Sequence, residues 1–173
     1  MKKTKKLILG ALFLALGLIL PFFTMQIKEI GDSLLPMHLP VMLCGLICGP
    51  LYGAAAGILT PIMRSLLFGM PPLYPSAIWM AGELAAYGFL LGFLYQRGKR
   101  QNLLWLYCSL LLSMLGGRLV WGLLKALLLG AAGKAFTLYA FLAGGFLDAI
   151  PGILLQLILI PSLMGLFKKV TLK

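Results

Sequence analysis

Long apolar runs separated by short polar or Gly/Pro-rich breaks dominate the chain. Clear runs cover roughly residues 7–25, 77–96, 103–130 and 140–167. Each approaches or exceeds the ~20 residues a helix needs to cross ~30 Å of hydrocarbon. None shows the alternation of a barrel strand, so the pattern predicts an all-α, polytopic membrane protein. The stretch from Leu34 to Phe68 would be about 52 Å long as one helix, well beyond that thickness. Gly49-Pro50 stands near its middle, and such a pair breaks a helix and favours a tight turn. Two passes, 34–48 and 51–68, therefore fit better than one. The first is short, so it must tilt, thin the lipid locally or shelter behind its neighbours.

Charge placement tests that count. The chain carries 15 Lys and Arg against 4 Asp and Glu, for a formal charge of +11. Most of the basic residues fall in three clusters beside apolar runs: Lys2 to Lys6, the "RGKR" at 97–100, and Lys168, Lys169 and Lys173. Six passes put all three clusters on one side and leave Lys28 and Lys134 on the other, whereas five would divide them. The expectation is a single domain over residues 1–173: a six-transmembrane-helix bundle with both termini cytoplasmic. Composition agrees, since 61% hydrophobic and 11% charged residues leave too little polar surface for a soluble fold. Basic residues placed this way read as topology, not as a nucleic-acid stripe. The basic head and apolar body of residues 1–23 resemble a signal peptide, but the "ALG" triplet lies inside the apolar run, so a retained first span is expected.

Little in the chain points to chemistry. Cys44 and Cys48 have no second ligand pair nearby and read as small buried hydrophobes, so no metal site is expected. "GDSLL" at 31–35 offers Ser33, but the single histidine, His38, has no acidic partner at triad spacing. "GFLYQRGKR" and "GAAGKA" lack the spacing and strand context of a phosphate loop. No catalytic residue and no cofactor are assigned, and the chain is not expected to be an enzyme.

The informative residues are charges inside apolar runs. At 1.5 Å per residue, Glu83 and Asp148 lie about 9 Å below the outer edge of the fourth and sixth spans. Arg118 and Arg64 lie about 20 Å above the inner edge of the fifth and third. A charge at such depth costs at least ~2.5 kcal/mol on insertion scales, so these side chains should turn toward one another or toward a wet cavity. Lys125 sits nearer the outer surface, where its stem can snorkel to water. Helical spacing aligns Arg118, Trp121 and Lys125, aligns Glu83 with Tyr87, and aligns Asp148 with Gly152 and Gln156. Two readings stand. The carboxylates neutralise Arg118 and Arg64 and merely fasten helices, or the groups line a polar pocket open to the outside. Three cations against two carboxylates would suit an acidic or zwitterionic ligand.

Small residues at four-residue spacing, Ala11 with Ala15 and Gly53 with Gly57, allow close helix contact. "LPVMLCGLICGPLYGAAAGIL", "ALFLA" in the first span and the six-span plan together resemble the S components of energy-coupling factor (ECF) vitamin transporters. The resemblance covers nearly the whole chain and implies a substrate-binding subunit of a bacterial cell membrane. Such a subunit captures a micronutrient from outside and docks on a transmembrane T component carrying two ATPases. It implies that Ala11 and Ala15 present the docking face, and that the outer ends of spans four to six form the pocket. It also implies that the protein topples in the bilayer to release cargo. Trp79, Glu83, Tyr87, Arg118, Trp121, Asp148, Gln156, Arg64 and Tyr139 are the expected pocket residues. The proline-rich "GMPPLYPS" at 69–76 is either a pocket rim or a plain connection. Pantothenate leads the expected ligands because of the cationic excess, followed by pyridoxine-type vitamins, then riboflavin or another micronutrient. Two other classes are a proton-coupled secondary transporter titrating Glu83 or Asp148, and an intramembrane scaffold with no ligand.

Overall fold

The computed structural model describes residues 2–24, 34–98 and 102–171. Those residues are helical with no strands, and five helical stretches are long and apolar enough to cross a membrane. The elements are α1 (Lys3–Ile19) with a 3₁₀ turn (Leu20–Thr24), α2 (His38–Cys48), α3 (Pro50–Phe68), α4 (Ile78–Arg97), α5 (Leu103–Ala131), the short α6 (Leu138–Leu142) and α7 (Ile150–Thr171).

The break expected at Gly49-Pro50 is where α2 ends and α3 begins. Gly49 takes φ 113°, a conformation L side chains rarely adopt, and Pro50 starts α3, where its missing N–H would be unpaired anyway. The expected second pass is the 11-residue α2, only about 16 Å long. All its residues except Leu39 and Ile47 are buried, and it packs on α1, α3, α4 and α7.

Glycine sets the spacing at this centre. A Cβ at Gly53 would lie 2.6 Å from both the Gly45 Cα and the Gly88 carbonyl oxygen, so α2, α3 and α4 touch backbone to backbone. Apolar area cannot drive helices together in lipid as it does in water, which makes such dispersion-rich contacts the main attraction available. α5 packs along α4, and α7 lies against α2 and α5. α1 lies against α2 and α3 and buries only Phe13 and Gly17.

Two stretches depart from expectation. The first helix begins at Lys3, earlier than the apolar run, and its regular part stops at Ile19, just ahead of Pro21. The run 140–167 is not one helix. Gly144-Gly145 lies in a π-helical turn, Ala143–Leu147, and the α-helix resumes at Ile150, next to Pro151. Glycine weakens a helix and proline withdraws a donor, so the α-helical pattern is interrupted where apolarity alone predicts continuity.

Candidate functional site

Three helices bring ionisable groups to one buried point. α4 supplies Glu83, α5 supplies Arg118, and the first residue of α2 is His38. Their exposures are 2%, 3% and 2%, so all three are buried within the bundle. Arg118 Nη1 donates a 2.7 Å hydrogen bond to Glu83 Oε1. His38 Nε2 lies 3.3 Å from the same oxygen, and neither of its ring nitrogens has a hydrogen-bond partner. The ring of Tyr87, one turn after Glu83 on α4, packs edge-on against His38 with centroids 4.9 Å apart. A tight turn places the histidine: the His38 N–H donates to the Leu35 carbonyl at 3.1 Å, with Leu35 in the left-handed region at φ 51°.

Arg118 is only partly satisfied. Its Nε and Nη2 are buried and have no hydrogen-bond partner. Those two atoms form the side-on edge of a guanidinium, a parallel pair of donors matched to two oxygens of a carboxylate or phosphate. Buried donors without acceptors are uncommon and costly, so the open edge calls for a partner of that kind.

Beyond Arg118 the site is aromatic. The Arg118 guanidinium lies 5.9 Å from the Trp121 ring. Lys125 Nζ lies 4.4 Å from Trp121, 5.5 Å from Trp79 and 5.3 Å from Phe136. Lys125, expected simply to snorkel into water, is half-buried with its ammonium among three rings, where the quadrupoles attract it. Phe141 continues the cluster, its centroid 6.1 Å from that of Trp121. Gly122 admits that ring, since a Cβ there would overlap it.

The remaining expected residues divide. Gln156 is 1% exposed with its Nε2 unpartnered. Arg64 is buried elsewhere: Nη1 donates to the Leu18 carbonyl at 2.7 Å, and the guanidinium lies near Phe22 and Phe68 at 4.9 and 5.6 Å. It ties α1 to α3, away from Glu83. Asp148 is exposed in the turn before α7, whereas Gly152 and Gln156 are buried, and it pairs with neither arginine. Tyr139 is 79% exposed on α6. Ala11 and Ala15 face outward from α1, amid exposed Leu7, Ile8 and Leu12. Sequence reasoning missed His38, although an ionisable group within a buried apolar helix is itself a signal.

No curated protein and no solved structure matches the chain. A sequence profile described as "ECF transporter, substrate-specific component" matches residues 5–164, nearly the whole length. That match agrees with an all-helical bundle of apolar helices holding a buried polar site. The chain is a transport subunit and not an enzyme, and it belongs to the family of substrate-specific (S) components of ECF transporters.

Proposed function

We propose that this S component captures a water-soluble vitamin bearing an anionic group, with pantothenate the first candidate, from outside a bacterial cell. Six passes, counting α2 as the short one, place both termini in the cytoplasm and turn the end carrying residues 69–77 outward. Trp79, Glu83, Tyr87, Arg118, Trp121 and Gln156 line the pocket, with Tyr139 and Asp148 toward its mouth. Arg64 fastens α1 to α3. The observation that carries this reading is the buried, unpartnered Nε–Nη2 edge of Arg118 beside the Trp121 ring. An anionic group fits the edge, and the rings of Trp121 and Trp79 cover the rest of a small ligand. Native mass spectrometry of the purified chain is the test. A co-purified acidic vitamin of matching mass is expected, and a cationic or purely apolar ligand would overturn the assignment.

The loaded subunit then docks on a T component bearing two ATPases, which supply the energy. Ala11 and Ala15 support this step, because they are exposed on α1, the long helix that buries least of itself. Ala11→Trp or Ala15→Trp is expected to abolish ATP-dependent uptake in reconstituted vesicles while leaving ligand affinity unchanged, because indole bulk prevents close helix approach. Uptake at the normal rate by both variants would place the docking face elsewhere.

A further inference from the structure

We propose that Lys125 sets the charge selectivity of this site: its ammonium, held in place by aromatic rings, favours an anionic ligand over a neutral one of the same shape. This rests on the proposed anionic ligand and on Arg118 as its contact. Arg118, Trp121 and Lys125 share one face of α5 at i, i+3 and i+7. Both cations lie against the Trp121 ring, the Arg118 guanidinium 5.9 Å and Lys125 Nζ 4.4 Å from its centroid. A ligand lying on Trp121 therefore comes within reach of both. Their contributions differ. Arg118 is bonded to Glu83 at 2.7 Å, and that pair is neutral as a unit, so its open Nε–Nη2 edge supplies two parallel donors more than a net charge. Lys125 supplies the charge.

A lysine that merely snorkels extends its ammonium into water. The half-buried Lys125 instead has rings from three segments around it: Trp79 near the start of α4, Trp121 on α5 itself, and Phe136 in the connection after α5. Packing fixes each ring. Gly82, three residues after Trp79, lies so close to α5 that a Cβ there would overlap Leu124, the neighbour of Lys125. Phe136 meets Trp121 edge-on, with centroids 6.0 Å apart. On the other side, a Cβ at Gly144 or Gly145 would lie 3.4 Å from the Trp121 ring. An ammonium partly withdrawn from water attracts an anion more strongly than one in bulk solvent, and one already held loses less freedom when the anion arrives. The same rings would suit an external cation, but the protein's own lysine occupies them, so cationic ligands are disfavoured.

Pantothenate and panthenol, which carries an alcohol in place of the carboxylate, test the selectivity by titration calorimetry. The wild type should prefer pantothenate. Lys125→Met, of similar length and apolar, should narrow that preference by roughly tenfold or more, the weight of one charged hydrogen bond, with panthenol affinity little changed. Lys125→Arg keeps a cation among the rings and should keep most of the preference. An unchanged preference in Lys125→Met, or an equal loss for both ligands, overturns the proposal. A second arm needs no vitamin. Of the three tryptophans, Trp79 and Trp121 surround Lys125, while Trp105 sits at the opposite end of α5, donating to the Leu94 carbonyl at 3.0 Å. In a Trp105→Phe background, tryptophan emission reports these two rings alone. Iodide, an anionic quencher, should then quench less steeply once Lys125→Met is added, while neutral acrylamide quenches both proteins alike. Iodide quenching that is unchanged, or that changes only in step with acrylamide, overturns the proposal. If pantothenate fails to bind, the vitamin assignment falls, and the iodide comparison still decides whether Lys125 draws anions to the rings.

Discussion

Arg118→Ala is expected to weaken ligand binding by roughly 30-fold to several-thousand-fold, the equivalent of about 2–5 kcal/mol for removing one member of a buried charged contact. Titration calorimetry of the purified chain measures it. The same variant strands Glu83, 2% exposed, with no cation bonded to it, and an orphaned buried charge costs about 3–5 kcal/mol of stability. Lost binding could then reflect partial unfolding. The double replacement Arg118→Met with Glu83→Leu separates the effects, because exchanging a buried ion pair for apolar residues of similar volume is often neutral or stabilising. It should recover most of the thermal stability and still fail to bind. A double variant that binds as tightly as the wild type would reduce the pair to a fastener between α4 and α5.

Much of this arrangement was legible before any coordinates. Apolar run length fixed the helical class, and Gly49-Pro50 located the α2–α3 break because glycine readily takes the positive φ that ends α2 and proline at the first position of α3 gives up no hydrogen bond. Glu83 and Arg118 were found by the expense of charge in lipid, which needs no partner to be visible in sequence. What escaped were properties of the third dimension. Arg64 obeys the same expense rule, yet a backbone carbonyl of α1 satisfies it, and nothing in linear order distinguishes that from a carboxylate. Asp148 was placed on an unbroken α-helix, whereas a π-helical turn at Ala143–Leu147 precedes it and leaves it exposed. His38 was weighed only as a missing catalytic base. Its meaning comes from α4 crossing α2 at a particular height, a register set by close glycine contacts that hydropathy does not record.

That register is the basis of the second large effect. Gly88→Leu is expected to abolish the folded state or lower the apparent melting midpoint in detergent by about 10 °C or more, reflecting a loss above ~4 kcal/mol. A Cβ at Gly88 would lie 2.5 Å from the Gly53 carbonyl carbon and oxygen, and one at Gly45 would overlap the Gly88 carbonyl. Flexible side chains can yield to such an intrusion. Backbones cannot, so α2, α3 and α4 must separate as whole rods. Gly165→Leu on α7 is the matched control: the same substitution in a helix, at a position with no neighbouring atom within 4 Å, should leave the midpoint near that of the wild type. Gly88 directly follows Tyr87 and lies five residues beyond Glu83, so moving α4 away from α2 also pulls Glu83 off His38. Ligand affinity should therefore fall together with stability in Gly88→Leu, whereas Ala11→Trp should leave both intact. A Gly88→Leu protein with wild-type midpoint and affinity would mean that the three helices do not meet backbone to backbone, and the shared height of Glu83 and His38 would lose its physical cause.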